Sequence, residues 1–174
     1  MTDNADLAAL IRTIPDYPKP GILFRDVSTL LLDGPGFRAT IDRLAALVAP
    51  DTSLIAGIEA RGFVVAAGLS YALGLGKLML RKPGKLPGEK IGADYALEYG
   101  TDRIEMHVGH VQPGQKVLLV DDLIATGGTA SAGVDLIRRG GGTVELALFI
   151  VDLPDLGGAA RLREQGIEVK CLID

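Results

Sequence analysis

The sequence predicts a single α/β domain in which helices cover a parallel sheet. Three observations carry that reading. From Leu54 onward, strand-like and helix-like segments alternate with short connections. The strand-like segments are continuous apolar runs, as in strands buried on both faces, not alternating ones. The chain has 174 residues, 48% of them apolar, which is enough for one core without covalent staples.

Taken in order, Asp3–Arg12 reads as a short helix with acidic residues near its start. Ile14–Gly21 (IPDYPKPG) holds three prolines and reads as irregular. Gly36–Val48 has helical spacing of Phe37, Ile41, Leu44, Ala45 and Val48. Leu54–Ile58 is a short apolar strand. Arg61–Leu75 is a helix that is apolar nearly all round, so burial on more than one side is expected. Lys77–Leu80 and Val117–Asp121 are strands, and Gly128–Arg139 is a helix. Val144–Val151 is a strand, Gly158–Gln165 a helix and Glu168–Ile173 a last strand. Lys82–Gln115 breaks the rhythm. Its first part, KPGKLPGEKIG, is polar, basic and rich in Gly and Pro. Two runs, Asp94–Glu98 and Arg103–Val108, could then pair as a hairpin. A long insertion of this kind in a compact domain is usually functional or disordered. Gly140–Gly142 has more glycine than a helix C-cap needs, and the sequence offers no functional account of it.

Charge and composition narrow the function classes. The formal net charge is −4, with no basic tail and no Lys/Arg run, so the signature of a nucleic-acid binder is absent. No apolar stretch reaches the ~20 residues a membrane span needs. The first residues are acidic where a signal peptide would be basic. The single Cys171 has no internal disulfide partner and lies in the apolar run Val169–Ile173, which reads as a buried structural thiol. Together these point to a reducing cytoplasm. His107 and His110 read as surface histidines. Three residues apart on a strand they face opposite ways, and no further His or Cys cluster completes a metal site.

Val117–Thr129 (VLLVDDLIATGGT) carries the chemistry. A buried strand ends in Asp121 and Asp122, and Ala125–Thr129 opens the next helix. Gly127 and Gly128 let the backbone turn several N–H groups onto one anion. Thr126 and Thr129 add hydroxyls, and the helix N-terminus adds partial positive charge. The segment is therefore a phosphate cradle. The aspartates have the wrong sign for that phosphate, so sugar hydroxyls or a magnesium ion explain them best. Strand neighbours point to opposite faces, so the pair is not expected to act as one chelate. A ribose 5-phosphate group fits this combination.

At these residues the chain resembles the type I phosphoribosyltransferases, whose phosphoribosyl-pyrophosphate (PRPP) signature looks like VLLVDDLIATGGT. Further segments, in order, resemble the adenine phosphoribosyltransferase family: Asp16–Leu32 (DYPKPGILFRDVSTLL), Ala56–Ser70 (AGIEARGFVVAAGLS), Arg81–Glu89 (RKPGKLPGE) and Tyr95–His107 (YALEYGTDRIEMH). The resemblance runs from about Leu7 to the end. It implies a twisted, mostly parallel sheet with helices on both faces. It also implies a small base-binding hood over about residues 1–35 and a flexible lid insertion over about residues 82–115. The implied reaction is adenine plus PRPP giving AMP and pyrophosphate, with Mg2+, in a cytoplasmic homodimer that engages no nucleic acid or membrane.

The resemblance also implies roles. Asp121, Asp122, Leu123, Ala125, Thr126, Gly127, Gly128 and Thr129 hold PRPP or AMP. Arg61, in the loop Glu59–Gly62, forks onto diphosphate oxygens, a role its planar guanidinium suits. A cis peptide is implied at Glu59–Ala60. Arg81, Lys82 and Lys85 approach pyrophosphate, Lys85 from the lid. Glu98 handles the purine proton, Tyr99 helps position the reactants, and Arg61 completes the catalytic set. Backbone groups near Leu23 and Arg25 read the adenine edge, while Phe24 and Leu123 pack on its two faces. The metal is held mainly by substrate pyrophosphate and ribose hydroxyls, with Asp121 or Asp122 as side chains that could reach it. Two alternatives stay open: transfer to another purine such as xanthine or guanine, and a PRPP-sensing regulator, which would carry a DNA-binding extension or basic face.

Overall fold

A computed structural model of the protein describes residues 4–96 and 100–174. Five parallel strands form the central sheet: β3 (Leu54–Ile58), β4 (Gly76–Leu80), β7 (Val117–Ile124), β8 (Leu146–Asp152) and β9 (Glu168–Ile173). They lie in the order β4-β3-β7-β8-β9. Every strand of this sheet is one the apolar runs predict. β7 runs on past Asp121 to Ile124, keeping register with β8 through Ile124 and Asp152.

Helices cover both faces, and the alternation of side chains along β7 shows why. Leu118 and Val120 enter one core with Leu30, Leu44, Val65, Ala66 and Leu69. Val117 and Leu119 enter the other with Val134, Leu136, Ile137 and Leu162. The first core lies under α1 (Ala5–Ala8), α2 (Ser28–Leu32), α3 (Gly34–Ala45) and α4 (Gly62–Leu73). The second lies under α5 (Gly128–Arg139) and α6 (Gly158–Glu164). α3 starts two residues before its apolar spacing because Asp33 caps it. The Asp33 carboxylate accepts from the Gly36 amide at 2.7 Å, and Pro35 sits in the first turn, where its missing N–H costs nothing.

Three expectations are corrected here. The segment read as irregular begins as strand β1 (Arg12–Pro15), which pairs antiparallel with β2 (Leu23–Asp26). The prolines are confined to the end of β1 and the connection, where no ladder donor is needed. The first helix is correspondingly shorter and packs on α3 and β9, with Asn4 Nδ2 donating to the Leu172 carbonyl at 2.7 Å. Finally, α4 is buried on one face only. Gly62, Val65, Ala66 and Leu69 are inside, while Val64, Tyr71 and Leu73 are exposed.

The two runs of the insertion do pair. β5 (Lys90–Ala96) and β6 (Thr101–His107) form an antiparallel hairpin that packs on α5 through Tyr95, Ile104 and Met106. The hairpin takes in Lys90–Gly92, which composition alone assigns to the loop. The hairpin and the Val111 segment after it explain two of the three glycines at the end of α5. A Cβ at Gly140 would lie 2.8 Å from Met106 Cε, and one at Gly142 would lie 2.6 Å from Val111 Cγ1. The histidines do not face opposite ways. β6 ends at His107, the chain turns at Gly109, and the two rings sit 4.5 Å apart, with His107 Nε2 2.7 Å from the Pro87 carbonyl. No group of three or more His, Cys, Asp or Glu able to hold a metal occurs among the described residues. Cys171 is half-buried, and that burial pushes its thiol up to about 12. Among the described residues no helix is long and apolar enough to cross a membrane.

Candidate active site

The sheet brings the candidate residues together at the carboxyl ends of three adjacent strands, where ligands bind in open parallel sheets. β3 is central, with Gly57 beside Val120 of β7 and Met79 of β4. Glu59–Arg61 leaves β3, Arg81 and Lys82 leave β4, and Asp121–Thr129 leaves β7. All three segments emerge side by side.

The Glu59–Ala60 peptide is cis. Arg61 follows it at the residue preceding α4. Its Nε lies 2.7 Å from Asp122 Oδ2, and its guanidinium sits over the Phe24 ring at 5.7 Å. Asp122 is buried and Arg61 is partly exposed, so the cation is held from below while its upper edge stays open. Phe24 in turn meets Tyr17 edge to face at 5.1 Å. The β1–β2 hairpin therefore reaches the site through Phe24. Leu23 beside it is 64% exposed, and Arg25 turns away to donate to Thr13 Oγ1 at 3.1 Å.

Asp121 and Asp122 are closer partners than a regular strand suggests. The Asp122 amide donates to Asp121 Oδ1 at 2.9 Å, and both residues line one cavity of about 420 Å³ with Glu59, Ala60, Arg61 and Leu123. Burial, reinforced by the charge of Asp122, raises the Asp121 pKa well above the usual carboxylate range, with Arg61 opposing. The Asp121 carboxylate also lies against the start of α4. A Cβ at Gly62 would come within 2.7 Å of Asp121 Oδ1.

A second cavity of about 120 Å³ adjoins the first, sharing Asp121 and Leu123. Ile124–Ala130 and Phe149 complete its wall. Gly127 takes φ +74° and α5 starts at the next residue, so the loop amides and helix N-terminus turn into this space. Thr126 is exposed and Thr129 half-buried. The apolar strand, the two acids and the Gly/Thr loop thus form one continuous wall.

Arg81 and Lys82 have different partners. Arg81 forks onto Glu59, Nε to Oε2 at 3.2 Å and Nη2 to Oε1 at 3.3 Å, and the Lys82 amide donates to the same carboxylate at 2.8 Å. Partial burial works against the Glu59 carboxylate. The Arg81 and Lys82 hydrogen bonds outweigh it and hold its pKa below the usual value. Lys82 Nζ donates to Tyr95 OH at 2.6 Å and pairs with Asp102, whose Oδ2 also accepts from Tyr95 at 2.9 Å. Burial opposes the Lys82 charge, but Asp102 and Tyr95 raise its pKa overall. Lys85 is exposed on the connection to the hairpin. Glu98 and Tyr99 lie outside the described residues.

Four residues escape a reading of the sequence. Glu59 anchors Arg81 and the root of the insertion. Tyr95 and Asp102 hold Lys82; they stand opposite each other in the hairpin register, a signal readable once the hairpin is drawn. Gly158 touches the Ala125–Gly127 loop from α6, and nothing near it in sequence announces that.

The family of the phosphoribosyl transferase domain matches residues 28–172. The chain is 58% identical over 170 residues to the adenine phosphoribosyltransferase of Erythrobacter litoralis, covering 97% of this chain and 95% of the relative. It is 56% identical over 173 residues to that of Sphingopyxis alaskensis, covering 98% and 93%. Among solved structures, the adenine phosphoribosyltransferase of Thermoanaerobacter pseudethanolicus superposes with a TM-score of 0.92 at 44% identity, covering 97% of this chain and 98% of that one. The Saccharomyces cerevisiae enzyme, solved with an imino-altritol bisphosphate and adenine, gives 0.88 at 33% identity, with 97% of each chain covered.

Proposed function

The chain belongs to the phosphoribosyltransferase family, and from that premise we infer that it transfers the 5-phosphoribosyl group of PRPP to adenine, giving AMP and pyrophosphate in purine salvage. The observation that carries this reading is the convergence of three strand ends. A phosphate cradle, a carboxylate pair and an arginine loop border two adjoining cavities.

The reaction breaks the bond from ribose C1 to the pyrophosphate oxygen and forms one from C1 to a purine nitrogen. Positive charge develops on the sugar between those events, so the protein's task is to hold two reactants in line and to stabilise charge. Ala125–Thr129 grips the 5-phosphate through loop amides, hydroxyls and the α5 N-terminus. Asp121 and Asp122 face the ribose hydroxyls. Arg61 takes the leaving diphosphate on the open edge of its guanidinium, and Arg81 and Lys85 add positive charge from the lid side. Phe24 and Leu123 sandwich the base, with backbone groups at Leu23 and Arg25 reading its edge. Glu98 accepts the proton the purine loses, and Tyr99 positions the reactants. Within the insertion at about 82–115, whose hairpin is packed on α5, the exposed connection that carries Lys85 closes over the site and excludes water, which otherwise would hydrolyse PRPP.

Phosphoribosyltransferases generally use Mg2+ with PRPP. The donor set suits that arrangement. Asp121 and Asp122 offer hard oxygen ligands, but Asp122 is already engaged by Arg61, and two carboxylates alone do not make a cage. The side chains that would meet Mg2+ bound with PRPP are Asp121 or Asp122, the latter shared with Arg61, and the ion would supply charge neutralisation for the leaving group. The exposed apolar face of α4 and edge strand β4, with Val64, Tyr71, Leu73 and Met79, is the surface through which two copies form a homodimer. The cytoplasm is the compartment that fits the single thiol.

The test is direct. Protein, PRPP and Mg2+ are supplied with adenine, guanine, hypoxanthine or xanthine, and pyrophosphate release is measured. Adenine is turned over fastest. Turnover with another base and none with adenine would sink the specificity, and PRPP binding without turnover of any base would favour a regulator.

A further inference from the structure

We propose that Gly158, at the start of α6, is a positioning residue that sets the shape of the phosphate cradle. The structure holds the cradle from two sides. Its own helix, α5, lies behind it. On the other side it rests on the segment that follows β8, a 3-10 turn at Pro154–Leu156 leading into α6. Two backbone hydrogen bonds fasten that segment to the loop: the Leu153 amide to the Ile124 carbonyl at 3.0 Å and the Gly158 amide to the Ala125 carbonyl at 2.9 Å.

The contact at Gly158 leaves no room for a side chain. A Cβ there would stand 2.3 Å from the Ala125 carbonyl oxygen, 2.7 Å from the Gly127 nitrogen and 2.8 Å from Ile124 Cγ1. Two of these are backbone atoms of the cradle, so relief requires the loop itself to move. The reverse contact is as tight, since a Cβ on Gly127 would stand 2.9 Å from the Gly158 carbonyl oxygen. α6 cannot yield easily, because Ala159 and Leu162 are buried in the core beneath it. Gly157 just before has φ +73°, which aims the chain at the loop. Backbone thus packs on backbone, and the amides that meet the anion are spaced by that contact. A shift on the order of 1 Å in such a group is enough to cost about a hundredfold in a well-aligned site. Gly158 touches no substrate and acts only through Ala125–Gly127.

This rests on reading Ala125–Thr129 as the ribose 5-phosphate cradle, and the experiment separates the two claims. Binding of ribose 5-phosphate and of inorganic pyrophosphate is measured by calorimetry for the wild-type protein and Gly158→Ala, together with steady-state kinetics. Wild-type protein that fails to bind ribose 5-phosphate overturns the cradle itself. If it binds, Gly158→Ala is expected to weaken ribose 5-phosphate tenfold or more and to leave pyrophosphate within twofold. The KM for PRPP is expected to rise more than kcat falls. Equal weakening of both ligands, or of neither, overturns the role of Gly158. Where Gly158→Ala does not fold, amide exchange of the wild-type protein decides. Ribose 5-phosphate is expected to slow exchange in residues 153–160 together with 124–129, and protection confined to 124–129 overturns the proposal.

Discussion

At the scale of single residues, Asp121 shows a side chain that the fold accepts at a cost. Its carboxylate is disfavoured by burial and by Asp122, so its folded pKa is raised. A group raised in this way contributes stability that is fully present below its unfolded value and lost as pH rises through its folded value. Above the usual carboxylate range Asp121 therefore works against the stability of the protein. Asp121→Asn is expected to raise the melting temperature at pH 7 by about 2–4 °C, corresponding to roughly 1 kcal/mol in a chain of this size. The same change is expected to lower kcat/KM at least tenfold. Calorimetry and steady-state kinetics on one preparation check both, and a lower melting temperature at pH 7 would show that the carboxylate stabilises instead. Asp26 has the opposite sign. Ser28 first, then Arg12, hold its carboxyl down to about 2, so its contribution is present above the usual 3.8 and fades as pH falls from there toward 2. Asp26→Asn is expected to flatten the acid limb of the stability curve in that window, as read from urea unfolding.

At the scale of elements, the insertion is joined to the sheet by side chains rather than by strand pairing alone. Lys82, just past β4, is gripped by Tyr95 on β5 and Asp102 on β6. Glu98 follows Tyr95 by three residues in the sequence. Asp102→Asn should therefore lower kcat by about tenfold while changing the PRPP KM little, and stopped-flow measurement of a single turnover checks the split. A larger effect on KM than on kcat would make Lys82 a substrate ligand rather than an anchor. The elements differ in how far the sequence announces them. Strands such as Leu54–Ile58 and Glu168–Ile173 are legible because burial on both faces demands unbroken apolar runs. β1 and β2 are not, because an edge hairpin with Leu23 mostly exposed needs no such run and tolerates Pro15. The loop and helix start from Asp121 to Thr129 are legible because they are local, a strand end followed at once by the Gly127–Gly128 turn. Glu59 with Arg81, and Gly158 with Ala125, are not, because each pairing joins segments that only the sheet order brings together.

At the scale of the whole molecule, α4 reconciles a mismatch. Its sequence is apolar nearly all round, yet one face is left in water, with Tyr71 92% exposed. In the homodimer we propose, a second copy covers that face and the neighbouring β4 edge. Tyr71→Glu is expected to convert the dimer to monomer at micromolar concentration, measured by sedimentation. A wild-type protein that sediments as a monomer at the same concentration removes the dimer reading. Because Arg61 stands at the first turn of this helix, the monomeric variant is also expected to lose activity in excess of any loss of folded protein.

The pairing of β3 with β7 has a consequence for how the protein comes into being. Leu54 lies beside Val117, yet α4, β4 and the entire hairpin intervene along the chain. Closing so long a loop costs entropy before any contact repays it, which makes such pairings slow steps in folding. Arg61 travels with one strand and the cradle with the other. A chain emerging from the ribosome can therefore form either half with only part of the site in place. The complete site waits for the pairing of β3 with β7, which a chain truncated before Val117 cannot make.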